Sequence, residues 1–343
     1  MRSLLLLAVL ALPAAAQQPV FPAADWTHTT PAAVGWNLDR MARVSEYLQK
    51  LPVTGVMLIQ HGLVVSSGGE IDNRTQLHSC RKSFLSALIG IAVAKGQIHL
   101  DDTLAQLNID DIPPSLTPAE KQATVRMLLE ARSGIYHDAV YETKGMEAKR
   151  PDRGAHAPGT FWYYNNWDFN ALGGLYEQAT RQTIFEALEQ QIGRPIGMQD
   201  FRAADGFYTR GPQSKFPAYT MRMSARDFAR FALLYLHHGN WNGTQVVPAD
   251  WVAASTHPYS DTESGGYGYL WWTADSLTPT HHPDYVFPPG AFWLEGHLGQ
   301  YAVVIPSLDL IVVTRVNSAR THEELHKRQV AELVKLAVAA ATP

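Results

Sequence analysis

One cysteine in 343 residues, Cys80, excludes an internal disulfide. Basic side chains are no surplus: 28 Lys and Arg stand against 32 Asp and Glu, a formal net charge of −4, which leaves no footprint for nucleic acid. Past the first dozen residues, no uninterrupted apolar run reaches the length that crosses a bilayer, so the mature chain is expected to have no membrane span. Three nucleophile and ligand signatures are also missing: the Gly-x-Ser-x-Gly elbow, the Gly-x-x-x-x-Gly-Lys phosphate loop and the His-Glu-x-x-His zinc helix. The 14 histidines invite a metal, but His237-His238 and His281-His282 are adjacent pairs whose side chains diverge on regular structure. No metal and no cofactor is expected.

What is present begins at the N-terminus. Met1-Arg2 precedes an apolar run from Leu4 to Leu12, then Pro13-Ala14-Ala15-Ala16 before Gln17. This pattern reads as a signal peptide over residues 1–16, cut after Ala16, and implies export to the periplasm or the medium. Residues 17–343 are then one mature unit, long enough for two lobes around a generous core.

The pair that carries chemistry is Ser79 and Lys82, in His78-Ser79-Cys80-Arg81-Lys82-Ser83-Phe84. Of all the serines, Ser79 alone has a lysine three positions later. On a helix, that spacing places both side chains on one face, as a nucleophile and its base require. The helix continues through Leu85, Leu88, Ile89 and Ile91 and is apolar nearly all round, which predicts an interior position. Burial and the positive end of the helix dipole both disfavour an ammonium, so Lys82 is expected to be able to take the Ser79 proton. The same pair also fits a helix cap followed by an exposed lysine. Cys80 is a rival nucleophile, but one helical step turns it about 100° away from the Ser79–Lys82 face.

Around this pair, the periodicity predicts a helix over Asn37–Leu51 and a strand, turn and strand over Val56–Ser66. Helices follow at Thr124–Ala131, Asn170–Gln191 and Ser224–His237. Strands return at Ala291–Leu294, Tyr301–Ile305 and Leu310–Val316, and a closing helix runs over Glu323–Ala341. Strands at both ends with helices between them predict an α/β (α+β) fold. Its antiparallel sheet is built by the termini (about 17–100 and 216–343), with an inserted helical lobe at about 101–215.

Two further motifs complete a pattern. Pro158-Gly159 leads to Tyr163-Tyr164-Asn165-Asn166 and then to Leu172-Gly173, and Gly296-His297-Leu298-Gly299-Gln300 precedes a strand. With Ser79-x-x-Lys82, the chain resembles the serine β-lactamase and penicillin-binding-protein superfamily. Within it, the likeness is to the branch of class C β-lactamases, family-VIII-type esterases, D-Ala-D-Ala peptidases and 6-aminohexanoate-oligomer hydrolases. The resemblance implies the β-lactamase/transpeptidase-like fold. Counting from Pro158 and back from Leu172 both make Tyr164, not Tyr163, the motif tyrosine, and Asn166 its asparagine.

It further implies an acyl-enzyme at Ser79, with Lys82 and Tyr164 as base and acid. Asn166 would orient Lys82 or a substrate carbonyl, and His297 and Gly299 would border the substrate. The backbone N–H groups of Ser79 and Gln300 would form the oxyanion hole.

One departure bears on substrate. Where the family's Lys-Thr-Gly offers a cation and a hydroxyl to a substrate carboxylate, His297-Leu298 offers neither. Small esters or amides are therefore expected as substrates. A D-Ala-D-Ala carboxypeptidase or β-lactamase is the alternative within enzymes, and a non-catalytic penicillin-binding or sensing module is the alternative outside them. The aromatics from Tyr259 to Tyr301, including Trp271, Trp272, Phe287, Phe292 and Trp293, fit either an apolar acyl pocket or ordinary core.

Overall fold

The computed structural model describes residues 19–278, 286–321 and 323–342. The proposed signal segment and His281-His282 lie outside them. The chain opens with α1 (Leu38–Leu48), whose first turn is capped by the Asn37 side chain accepting from Arg40 N at 3.0 Å. β1 (Gly55–Gln60) turns at His61-Gly62 into β2 (Leu63–Gly69), and a short β3 (Thr75–Gln76) leads through one 3-10 turn, His78–Cys80, into α2 (Arg81–Ala94). Next come α3 (Val125–Leu129), α4 (Lys144–Lys149), α5 (Asn166–Thr180) and α6 (Ile184–Leu188), then the hairpin of β4 (Gly206–Gly211) and β5 (Ser214–Met223). α7 (Ala225–Leu236), a small hairpin of β6 (Asn240–Trp241) and β7 (Thr244–Gln245), and α8 (Ala249–Ser255) precede the final strands. These are β8 (Ser260–Thr262), β9 (Gly265–Tyr267), β10 (Trp272–Thr273), β11 (Phe292–Gly296), β12 (Gln300–Ile305) and β13 (Leu310–Arg315), and α9 (Lys327–Ala341) closes the chain.

Eight strands form one antiparallel sheet in the order β2-β1-β13-β12-β11-β10-β9-β8. The two ends of the chain thus pair near one edge of the sheet, β1 with β13, where Leu58 faces Val312. Consecutive apolar residues in β1, with Met57, Leu58 and Ile59 all buried, show that both faces of the sheet are covered. On one face, Leu58, Val303 and Val312 pack under Val44 of α1 and Leu333 and Val334 of α9. On the other, Met57, Ile59 and Val313 join a larger core with Phe84 and Leu88 of α2, Leu172 of α5 and Phe228 and Phe231 of α7.

β3, β4 and β5 make a second, three-stranded sheet. Arg315 fastens it to the first: this buried guanidinium donates to Met223 O at 3.0 Å, Thr75 O at 2.9 Å and Gln300 Oε1 at 2.7 Å.

The structure departs from the periodicity in places. The helix expected over Asn170–Gln191 starts earlier, at Asn166, and breaks at Arg181, whose φ of 56° is left-handed. Thr183 then caps α6, its Oγ1 accepting from Glu186 N at 3.2 Å and donating to Glu186 Oε2 at 2.8 Å. No glycine or proline marks that break. The Thr-x-x-Glu cap was the signal to be read there. The β4–β5 hairpin and β8 to β10 were not foreseen, because short strands with mixed burial carry little alternation. No helix of the described residues is long and apolar enough to cross a membrane.

Candidate active site

Ser79 sits in the 3-10 turn just before α2, held there by contacts on both sides of the turn. Cys80 is fully buried, and its thiol donates to Gln300 O at 3.2 Å, tying the residue after Ser79 to the start of β12. Gly296, at the end of β11, makes this approach possible. A Cβ there would lie 2.4 Å from Leu77 O and 3.0 Å from Cys80 Sγ. Burial pushes the Cys80 thiol up, so it stays protonated and is no rival nucleophile.

Lys82, the second residue of α2 and 2% exposed, reaches back towards the turn before it. Its Nζ lies 3.0 Å from Ser79 Oγ and 2.6 Å from Tyr164 Oη, which the chain supplies from just before α5. The amine also lies 4.2 Å from the Tyr164 ring centroid and 4.5 Å from that of Phe169. Burial first, and then the positive charge of Arg81, hold Lys82 well below the usual lysine range. Burial pushes the Tyr164 phenol up. The phenol is thus protonated at neutral pH, and the amine beside it gives up its proton more readily than a free lysine. Such an amine donates one N–H to Tyr164 Oη and offers its lone pair to the Ser79 proton, while the phenol keeps its own proton to give away.

The other expected residues divide. His297 is exposed and, with Gly299, lines the same cavity as Ser79. Gln300 is fully buried and turns its side chain inward: Nε2 donates to Val316 O at 2.8 Å and Oε1 accepts from Arg315. Only its backbone is therefore at hand for Ser79. Asn166 does not meet Lys82. Its Nδ2 donates to Tyr141 O at 2.7 Å, and its Oδ1 is buried without a partner among the described residues. The reason is local: Asn165, not Asn166, caps α5, so Asn166 is the first helical residue and its amide faces the 139–143 segment. Leu298 adopts a left-handed φ of 66° in the β11–β12 turn and is not among the cavity-lining residues, so it leaves the wall to its neighbours His297 and Gly299.

The cavity measures about 520 Å³ and runs from Ser79 past Met146, Trp162, Tyr164 and Trp272 to Tyr301. Of the aromatics that could wall a pocket, Trp272 and Tyr301 do so, while Trp271, Phe292 and Trp293 are buried in the core. Trp272 stacks on Tyr164 with centroids 5.6 Å apart.

The wall also holds charges that the motifs did not disclose. Lys327 of α9 pairs with Glu295 of β11 at 2.8 Å and lies 4.6 Å from the Trp272 ring centroid, and Lys149 of α4 lines the same cavity. So cations are present, although His297-Leu298 supplies none. Nothing in local sequence could place α9 beside β11. A larger hollow of about 1000 Å³ between α9, Tyr47 and Phe287 contains neither serine nor cysteine and lies apart from this chemistry.

A serine hydroxyl, an amine and a phenol in one hydrogen-bonded line, at the head of a buried helix beside an antiparallel sheet, fit a serine hydrolase of the β-lactamase fold. Residues 41–336 match the Beta-lactamase family model, and the chain belongs to that family.

Similar solved structures include a penicillin-binding protein homologue from Caulobacter crescentus, with a TM-score of 0.62 and 18% identity over 88% of this chain and 98% of that one. A β-lactamase from Mycobacterium bovis gives a TM-score of 0.60 and 20% identity over 88% and 100% of the two chains. At such identities the likeness carries the fold. Among curated proteins, an uncharacterized protein of Alkalihalophilus pseudofirmus is 23% identical over 72% of this chain and 75% of its own length. An unguisins hydrolase of Aspergillus campestris is 23% identical over 70% of this chain, which spans about half of that enzyme (52%).

Proposed function

We propose that the chain is an exported serine hydrolase that cleaves small esters or amides through an acyl-enzyme on Ser79. The observation that carries this reading is Lys82 Nζ standing between Ser79 Oγ at 3.0 Å and Tyr164 Oη at 2.6 Å. Ser79 attacks the carbonyl as its proton passes to Lys82, and Tyr164 delivers a proton to the leaving oxygen or nitrogen. The same pair then draws a proton from water to release the acid. The backbone N–H groups of Ser79 and Gln300 stabilise the oxyanion, a role supported by the Cys80–Gln300 contact that draws the two segments together. Asn166 holds the 139–143 segment, whose Thr143 lines the pocket, through Tyr141 O. Export rests on the signal-like residues 1–16.

Esters and simple amides are favoured over carboxylate-bearing substrates because the cation nearest the aromatic wall, Lys327, is already neutralised by Glu295. The D-Ala-D-Ala carboxypeptidase or β-lactamase alternative draws on the other lysine at the cavity, Lys149. Steady-state hydrolysis of p-nitrophenyl acetate, p-nitrophenyl butyrate and nitrocefin by the mature protein and by Ser79→Ala decides the matter. Ester turnover lost in Ser79→Ala, with little on nitrocefin, is the expected result. Fast nitrocefin turnover moves the substrate class to β-lactams, and full activity in Ser79→Ala removes the mechanism.

A further inference from the structure

Arg81 is the residue between the buried thiol and the buried amine, and its surroundings are unusual for a guanidinium. It is fully buried. Among the described residues it forms no ion pair, and its Nε and Nη1 have no hydrogen-bond partner. Its one side-chain hydrogen bond runs from Nη2 to Asn170 Oδ1 at 3.3 Å, and its charge rests 4.2 Å from the Tyr219 ring centroid and 6.0 Å from that of Tyr141. Compare Arg315, equally buried, whose side chain donates to five acceptors. Burying a cation this poorly compensated is expensive, and a guanidinium cannot escape by giving up its proton. A buried apolar residue would be the stable choice at this position.

We propose that Arg81 is a positioning residue for the hydrolytic site: buried without a counter-ion, with its Nη2 on Asn170 of α5 while Lys82 Nζ lies 4.5 Å from the ring of the preceding residue, Phe169, its charge adds to burial in leaving the Lys82 amine able to accept the Ser79 proton. The inference rests on the acyl-enzyme reading given above. A second cation beside a desolvated lysine is a general way to release its proton, because two like charges in a medium of low dielectric repel strongly.

Few other groups contest the effect. On α2 and the turn before it, Lys82 meets Cys80, which stays protonated. From the α5 side it meets the neutral Tyr164 and Phe169. The 139–143 segment brings Glu142, the one acid that opposes Arg81 at Lys82, and its carboxylate is engaged by Arg150 and by Ala139 N at 3.0 Å. From β11, Glu295 faces Tyr164 and is held by Lys327 at 2.8 Å.

The test is the rate at which an alkyl fluorophosphonate labels Ser79 as a function of pH, followed by mass spectrometry. It compares the wild-type chain with Arg81→Met, Arg81→Gln and Asn170→Ala. Removing the charge should raise the acid-side midpoint in both Arg81 variants by about one pH unit or more. Labelling on the acid limb then falls about tenfold, while the plateau at high pH stays within about twofold. Asn170→Ala removes the hydrogen bond but keeps the charge, and should leave the midpoint in place. Arg81→Met should melt no lower than wild type, since it removes an unpaired buried charge.

An unmoved midpoint in Arg81→Met and Arg81→Gln overturns the inference while leaving the Ser79 reading intact. So does an equal shift in Asn170→Ala, which would make packing the cause. If Arg81→Met does not fold, Arg81→Gln alone decides by the same midpoint. Absence of Ser79 labelling in the wild-type chain at every pH overturns the acyl-enzyme reading, and this inference with it.

Discussion

Lys82 and Tyr164 lie 82 residues apart in sequence and 2.6 Å apart in space, Nζ to Oη, with Ser79 Oγ 3.0 Å on the other side of the same nitrogen. A phenol that burial keeps protonated at neutral pH has a proton to give to a leaving group. We therefore expect Tyr164→Phe to lower kcat on p-nitrophenyl esters about 10²- to 10⁴-fold with KM changed little. Amide substrates, with the poorer leaving group, should suffer more than activated esters. Equal losses on both would mean that Tyr164 does not protonate the leaving group.

Lys82→Met should separate activity from stability. In the folded chain the amine is held well below the usual lysine range, so at any pH between that value and about 10.5 the unfolded chain binds a proton that the folded one does not. Stability contributed at this site therefore rises with pH and is lowest on the acid side. Lys82→Met is expected to lose about 10³-fold or more in ester turnover while melting higher than wild type near neutrality. The advantage should shrink as the buffer approaches pH 10. Melting curves at pH 6, 8 and 10 check the sign, and a variant that melts lower at pH 6 would contradict it.

His78 precedes Ser79 with a left-handed φ of 51°, its Nδ1 2.8 Å from Tyr141 Oη and its Nε2 3.2 Å from Ser318 Oγ. Burial first, then the charges of His297, Arg315 and Arg81, push it down from 6.5 to about 4. Between those values the unfolded chain binds the proton and the folded chain does not, so stability falls as pH drops through that window, by about 3 kcal/mol once below it. His78→Asn tolerates the backbone conformation and removes the titration. Its urea midpoint should change less between pH 6.5 and 4 than that of wild type. Parallel curves would exclude His78 as the source.

Gly296→Ala places a methyl 2.4 Å from Leu77 O, at the seam where β11 meets the nucleophile turn. We expect a loss of about 1–3 kcal/mol in unfolding free energy and a fall in Ser79 labelling rate beyond what the lost folded fraction explains. Thermal melts combined with labelling at a temperature where the variant is folded distinguish the two effects.

Trp272 supports Tyr164 and forms the apolar wall of the cavity. Trp272→Ala should lower the preference for p-nitrophenyl butyrate over acetate by about tenfold in kcat/KM, the scale of one or two methylenes losing their contacts. An unchanged ratio would place the acyl chain elsewhere in the cavity.

Much of this was legible from local pattern, because helices and caps obey short-range rules. The Ser79–Lys82 spacing and the all-round apolarity of α2 depend on residues three or four apart, and each appears as expected. The break at Arg181 was announced only by Thr183 and Glu186. The small strands β8 to β10 carried no alternation strong enough to read.

Sequence alone, then, determined which residues could react: one serine with a lysine on its helical face, a tyrosine at a countable distance from Pro158, and a single cysteine turned away. Tertiary structure decided what surrounds them. It sent the Asn166 amide to Tyr141, withdrew the Leu298 side chain from the cavity wall, brought Lys327 from the last helix beside Glu295, and buried Arg81 without a partner next to Lys82. The physical reason is range. Spacing fixes which face of an element a side chain occupies, but the charge, dielectric and neighbours on that face come from segments as distant in sequence as Lys327 is from Ser79, and these exist only once the sheet and its helices have packed.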